Sequence, residues 1–112
     1  MPVLLMVFSP DCEHCQHETE EMVANRDKFK DIQVVMATFF PIYRMNKFVE
    51  DYKVKELPNV VVGHDQYFLL PPFYDIRNFP YLALYNKKGD LISTFEGSLG
   101  LDKILQIFKE NE

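Results

Sequence analysis

Apolar residues along this chain follow two different periods. Val3-Leu4-Leu5-Met6-Val7-Phe8 is an unbroken apolar run of strand length that stops at Ser9-Pro10. A short apolar run can be helix or strand. Here Pro10 ends regular structure and pushes Ser9 toward an extended conformation, so the run reads as a buried strand. From Cys12 to about Phe29 the spacing becomes helical, with Cys15, Thr19, Met22, Val23 and Phe29 on one stripe. Acids crowd the first half of that segment and Arg26, Lys28 and Lys30 its end, as the helix dipole favours. The acidic run Glu18–Glu21 then forms a solvated face. Ile32 to Phe39 is rich in β-branched residues and predicts a second strand, which Phe40-Pro41 ends. Ile42 to about Tyr52 predicts a shorter helix, with Ile42, Met45, Phe48, Val49 and Tyr52 on its apolar side.

The middle is less regular. Leu57-Pro58 breaks the second helix, and Asn59 to Gly63 fits a short extra strand. Pro71-Pro72 argues against a regular element between His64 and Phe73. Tyr74 to Asn78 connects to Tyr81-Leu82-Ala83-Leu84-Tyr85, apolar on both faces as an interior strand is. Asn86 to Asp90 is a hairpin turn in which Gly89 is free to take positive φ. Leu91 to Phe95 returns, and Leu101 to about Glu110 forms a last helix burying Leu101, Ile104, Leu105 and Phe108. The order β-α-β-α, an irregular insert at about 57–78, then β-β-α predicts a mixed sheet with helices on both faces, an α/β fold in one domain over 1–112. The first two units give parallel strands by right-handed crossover.

Composition narrows the classes. At 47% hydrophobic and 14% aromatic, 112 residues support a packed core. A net charge of -5 without a basic cluster gives nucleic acid nothing to bind. No run approaches a membrane span. Met1–Phe8 lacks the charged start and small-residue cleavage site of a signal peptide. The two cysteines are too close together to staple distant parts of the chain.

Those cysteines are the candidate chemistry. Cys12-Glu13-His14-Cys15 places both thiols in the first turn of the first helix. There, free N–H groups and the positive dipole end favour thiolate, the reactive form of cysteine. Cys15, three residues on, shares a face with Cys12 one turn deeper. A reachable first sulfur and a second behind it can make and break one disulfide repeatedly. A cationic His14 favours the thiolate and makes the disulfide more oxidising, while Glu13 and Asp11 act against it. His14 and His17 join the cysteines as zinc ligands in type. However, one contiguous, mostly helical segment does not wrap four ligands around a tetrahedron, and no second C-x-x-C exists. His17 and His64 read as solvated. Phe39, Phe40, Tyr43, Phe68, Phe73 and Tyr74 read mainly as core, with some at the rim of a substrate groove.

The element order, Phe8-Ser9-Pro10-Asp11-Cys12-Glu13-His14-Cys15 after the first strand, and Phe79-Pro80 opening the interior strand together resemble a thioredoxin-like domain. Within it, the resemblance is to bacterial envelope thiol–disulfide oxidoreductases of the TlpA/ResA-like type, whose insert falls where Asn59–Phe73 lies. It implies that Cys12 is the nucleophile, Cys15 the resolving thiol, and Pro80 a cis-proline. That proline would hold the Phe79 backbone extended, to pair with substrate like an added strand. Cis X-Pro bonds are only roughly 5–6% of those in folded proteins, so this expectation rests on the resemblance alone. The implied partners are protein dithiols or disulfides and an upstream thiol donor, with no cofactor and a monomeric chain. The implied location is the periplasm or cell envelope, though the residues themselves leave the cytoplasm open. An upstream hairpin common in that group is absent, which suggests a piece of a longer protein. Two departures stand out. The buried acid that thioredoxins proper carry on the first strand is missing, with Met6 in its place, and their tryptophan before the first cysteine is Asp11. The missing acid favours a second reading, a redox-inert or metal-holding binding module.

Overall fold

The computed structural model describes residues 1–112. Five strands, β1 (Val3–Val7), β2 (Gln33–Thr38), β3 (Val60–His64), β4 (Tyr81–Tyr85) and β5 (Leu91–Glu96), form one sheet in the order β3-β2-β1-β4-β5. β1 and β2 pair in parallel, as do β2 and β3, while β4 runs antiparallel to both β1 and β5. The most apolar strands, β1 and β4, are therefore neighbours in the sheet interior. The extra strand expected at Asn59–Gly63 is the β3 edge.

Strand alternation sends side chains to two faces. Leu4, Met6, Val34, Met36, Leu82 and Leu84 point into the larger core. That core is closed by α1 (Glu13–Ala24), α2 (Ile42–Asp51) and α4 (Leu101–Glu110), which contribute Met22, Phe48, Ile104 and Phe108. Leu5, Val7, Ala37, Tyr81 and Ala83 form a smaller cluster on the other face, packed against Leu70 and Tyr74. Helices lie on both faces as expected, but only the short α3 (Leu70–Tyr74) covers the second.

Three expectations are corrected. The first helix ends at Ala24 rather than about Phe29. The Asn25 amide bonds back to the Glu21 carbonyl, as a short polar side chain does at a helix end, and a 3₁₀ turn over Arg26–Phe29 then tucks Phe29 into the core. Ile42, at the start of α2, is exposed rather than part of the apolar stripe. The insert also holds a helix despite Pro71-Pro72. Both prolines sit in the first turn of α3, where backbone N–H groups have no intrahelical partner to lose.

Asp65 organises the approach to α3. Its backbone N–H donates to the Thr38 carbonyl at 2.8 Å, and its carboxylate accepts the Leu69 and Leu70 N–H groups, each at 2.9 Å. Asp65→Ala is expected to lower stability by about 1 kcal/mol, the usual worth of a lost cap, as a shift in the urea midpoint. An unchanged midpoint would show that these bonds hold nothing.

Candidate active site

The turn after β1 delivers both cysteines to the C-terminal end of the central strands. The Phe8 N–H donates to the Ala37 carbonyl at 2.9 Å, which ties the chain to β2 just before it turns at Ser9-Pro10. The Cys12 N–H then bonds to the Ser9 carbonyl at 3.1 Å, and the Gln16 side chain reaches back to the Pro10 carbonyl at 3.0 Å. Cys12 is the N-cap of α1: its Sγ accepts the Cys15 N–H at 3.3 Å. Helix N-termini leave such donors unpaired, so the sulfur occupies a position made for an acceptor with negative charge.

The two thiols sit in different environments. Cys12 is half-buried and Cys15 fully buried; neither is bridged. Desolvation pushes the Cys15 thiol well above the ordinary range, and the negative charges of Cys12 and Glu18 add to it; contact with the Ser9 backbone acts the other way. Cys15 is therefore a protonated thiol at neutral pH, and something must take its proton before it can attack.

The buried acid on the same helix face is Glu18. The expected solvated acidic face is wrong at this residue: Glu18 is 1% exposed, while Glu20 and Glu21 face solvent. It lies one turn along α1 from Cys15, on the same face. Its Oε1 accepts the Leu99 N–H at 2.8 Å, from the loop ahead of α4. Burial raises its pKa; the Leu99 bond and His17 oppose this, while Glu21 adds to it. Met6 is fully buried in β1, so the acid of this core comes from the helix and not from the first strand. The spacing of Cys15, Glu18 and Met22 was the available signal, since the three share a helical face.

The opposite wall is the Phe79-Pro80 segment, whose peptide bond is cis. The Cys12 Sγ–H donates to the Phe79 carbonyl at 3.5 Å, and that carbonyl accepts no backbone N–H. The Pro80 carbonyl is engaged by the Gly97 N–H at 2.7 Å. Among the charged candidates, Asp11, Glu13 and His14 are all exposed. The His14 carbonyl accepts the Ser98 hydroxyl at 3.4 Å. Asp11 is engaged by Arg44 of α2, a partner 33 residues away, and the Arg44 guanidinium also lies 4.8 Å from the centre of the Phe40 ring. His17 is exposed beside Glu21, whereas His64, expected to be solvated, is half-buried at the end of β3. No three His, Cys, Asp or Glu side chains are placed to share a metal ion.

The aromatic group expected in the core is largely outside it. Tyr43 is 74%, Phe68 51% and Phe73 75% exposed, and Phe39, Phe40 and Tyr74 are half-buried. Phe39 is the hub, with ring centres 4.7 Å from Phe40, 4.7 Å from Phe68 and 6.0 Å from Phe79. Tyr74 instead turns to the second face of the sheet, where its hydroxyl bonds that of Tyr85.

A five-stranded mixed sheet with a C-x-x-C pair at the mouth of its first helix defines a thiol–disulfide oxidoreductase-like fold. A family model described as thioredoxin-like domain matches residues 1–112, and the chain belongs to that family. No curated protein matches the sequence. Among solved structures, MTB DsbF in mixed oxidized and reduced forms aligns with a TM-score of 0.84 at 18% identity, over 99% of this chain and 81% of its own. A secreted Mycobacterium tuberculosis disulfide oxidoreductase homologous to E. coli DsbE aligns at 0.79 and 16% identity, over 97% and 81%. StoA from Bacillus subtilis aligns at 0.75 and 18% identity, over 96% and 81%. At such identities the likeness is one of fold. No helix is long and apolar enough to cross a membrane.

Proposed function

We propose that this protein is a thiol–disulfide oxidoreductase acting on protein clients through Cys12 and Cys15. The observation that carries the reading is the asymmetry of the pair. One sulfur is accessible at a helix N-cap, 3.3 Å from a backbone N–H, and the other is buried one turn deeper. The Cys12 thiolate attacks one sulfur of a client disulfide; the Cys12–client bond forms, and the other client sulfur leaves as a thiolate that takes a proton from water. Cys15 gives its proton to the Glu18 carboxylate and attacks Cys12 Sγ, expelling the second client thiolate. Two electrons pass to the client, and the chain is left with a Cys12–Cys15 disulfide. An upstream dithiol donor returns it to the reduced form, and the reverse sequence would oxidise a client dithiol.

Phe79 and Pro80 supply the client's resting place in this reading. The free Phe79 carbonyl beside Cys12 suits a backbone N–H of an extended client segment, added like a strand. Asp11, Glu13 and His14 tune the couple, with the Asp11 charge offset by Arg44. We place the chain with the TlpA/ResA-like group, and so in the periplasm or cell envelope. The secreted neighbour of the same fold supports that placement.

The test is thiol titration of the purified protein across a glutathione redox series, with metal analysis of the same sample. Two thiols that disappear and return together as one two-electron couple are expected. Thiols that stay titratable under oxidising buffer, or a stoichiometric metal protecting them, would leave a binding module instead.

A further inference from the structure

We infer that the aromatic surface beside Cys12 selects clients whose reacting cysteine is flanked by a large apolar side chain. The inference rests on the redox reading and deepens it to a substrate class. In a mixed disulfide the two Cα atoms lie roughly 4.4–6.8 Å apart. Neighbouring client residues advance about 3.3 Å each when extended. Three residues on one side of the client cysteine therefore sweep about 10 Å of surface next to Cys12. Phe79 lies there, with its carbonyl 3.5 Å from Cys12 Sγ. Phe39 follows, its ring 6.0 Å from that of Phe79, and then Phe68, 4.7 Å beyond. The row of rings begins at the residue whose carbonyl meets the reacting sulfur, so a client bound covalently at Cys12 reaches these rings with its flanks.

Phe68 is held in place by construction. Its φ of 54° lies in the left-handed region, which a bulky side chain rarely adopts. The Asp65 carboxylate holds the loop shut around it through the Leu69 and Leu70 N–H groups. The loop turns Tyr67, Phe68 and Leu69 outward at 75%, 51% and 64% exposure, three consecutive apolar side chains left in water. Apart from the edge of Phe68 on Phe39, folding gains little from that presentation, and contiguous exposed apolar surface marks a contact site. Charge sharpens the choice. Arg44, over the Phe40 ring, and Asp65, at the base of the loop, are both engaged, with Asp11 and with backbone N–H groups. A charged flank on the rings would have to compete with those partners, whereas a phenylalanine or leucine flank would be desolvated against rings.

Two bridged peptides, identical except for Phe-Leu or Glu-Ser next to the cystine, test this alongside hydroxyethyl disulfide. The apolar peptide is expected to show kcat/KM roughly tenfold or more above the acidic one, the scale of discrimination an apolar pocket achieves. Phe68→Asn, which suits a left-handed backbone, and Tyr67→Ser as a second variant should bring that ratio toward one. Leu91→Ser, an exposed leucine on the far strand β5, should leave it unchanged. Equal rates for the two peptides, or an unchanged ratio in both loop variants, overturn the inference while the redox reading stands. No turnover even of hydroxyethyl disulfide overturns the redox reading and this inference with it. A dimer in sedimentation that Phe68→Asn dissociates would assign the surface to a second copy of the chain, which also overturns it.

Discussion

Cys12→Ser is expected to abolish insulin-disulfide reduction, by on the order of 10³-fold or more, because a hydroxyl cannot replace the thiolate that opens the client disulfide. The substitution is informative because it spares the fold. The Cys12 side chain caps α1 by accepting the Cys15 N–H, and serine is among the best N-cap residues. Its denaturation midpoint should therefore stay near that of the parent, so lost activity reports lost chemistry. Cys15→Ser should separate the two halves of the reaction. Cys12 still attacks, nothing resolves the product, and the client remains attached, visible in intact mass spectrometry as protein plus client. Cys15 is fully buried, so Cys15→Ala serves as a companion that puts no hydroxyl in the core. Full activity in Cys12→Ser, or release of client by both Cys15 variants at the parent rate, would remove the sulfur pair from the mechanism.

How much of this was legible in the sequence depends on how far apart the interacting residues are. The strand end and helix start around Cys12 are local: an apolar run, a proline stop and a helical stripe dictate them, and the structure has both within a residue, whereas the far end of that helix, set by Asn25, falls short of Phe29. The β4–β5 hairpin is equally local, with Gly89 at a φ of 89° in its turn. Misreadings came where a local rule met a tertiary fact. Pro71-Pro72 excludes a helix interior but not a first turn, and the Asp65 carboxylate behind it, with Leu70 and Tyr74 packed on the sheet, holds the five-residue α3 in place. Phe68 and Phe73 look like core by residue type, yet the second face of the sheet is already filled by Tyr74, Tyr81 and Leu70. Arg44 and Asp11 lie 33 positions apart, and nothing in either neighbourhood announces the pair. Glu18 shows the same conflict within one helix. The surrounding charges said surface, the spacing from Cys15 said interior, and the Leu99 N–H that settles it lies 81 residues downstream.

Glu18→Gln is expected to slow turnover by on the order of 10²-fold, the low end of what a positioned proton acceptor contributes, while leaving the protein at least as stable at neutral pH. The amide keeps an oxygen for the Leu99 N–H but cannot take the proton from Cys15, which burial holds protonated. The stability half follows from linkage. Burial raises the Glu18 pKa in the folded protein, so the native state keeps a proton that the unfolded chain has already released. Stability then falls as pH rises from the ordinary carboxylate range, about 4.3, and levels off above the raised native value. Glutamine removes that slope. Denaturation midpoints at pH 4 and pH 8 should therefore draw closer together in the variant, through a gain at pH 8. A parental pH slope in the variant would mean that Glu18 carries no buried charge, and parental turnover would mean that the Cys15 proton leaves by another route. A buried carboxylate that costs stability and serves only the second chemical step is expected where function outweighs packing. Opposite signs for the two readouts would place Glu18 in that class, since a purely structural residue would lower both together.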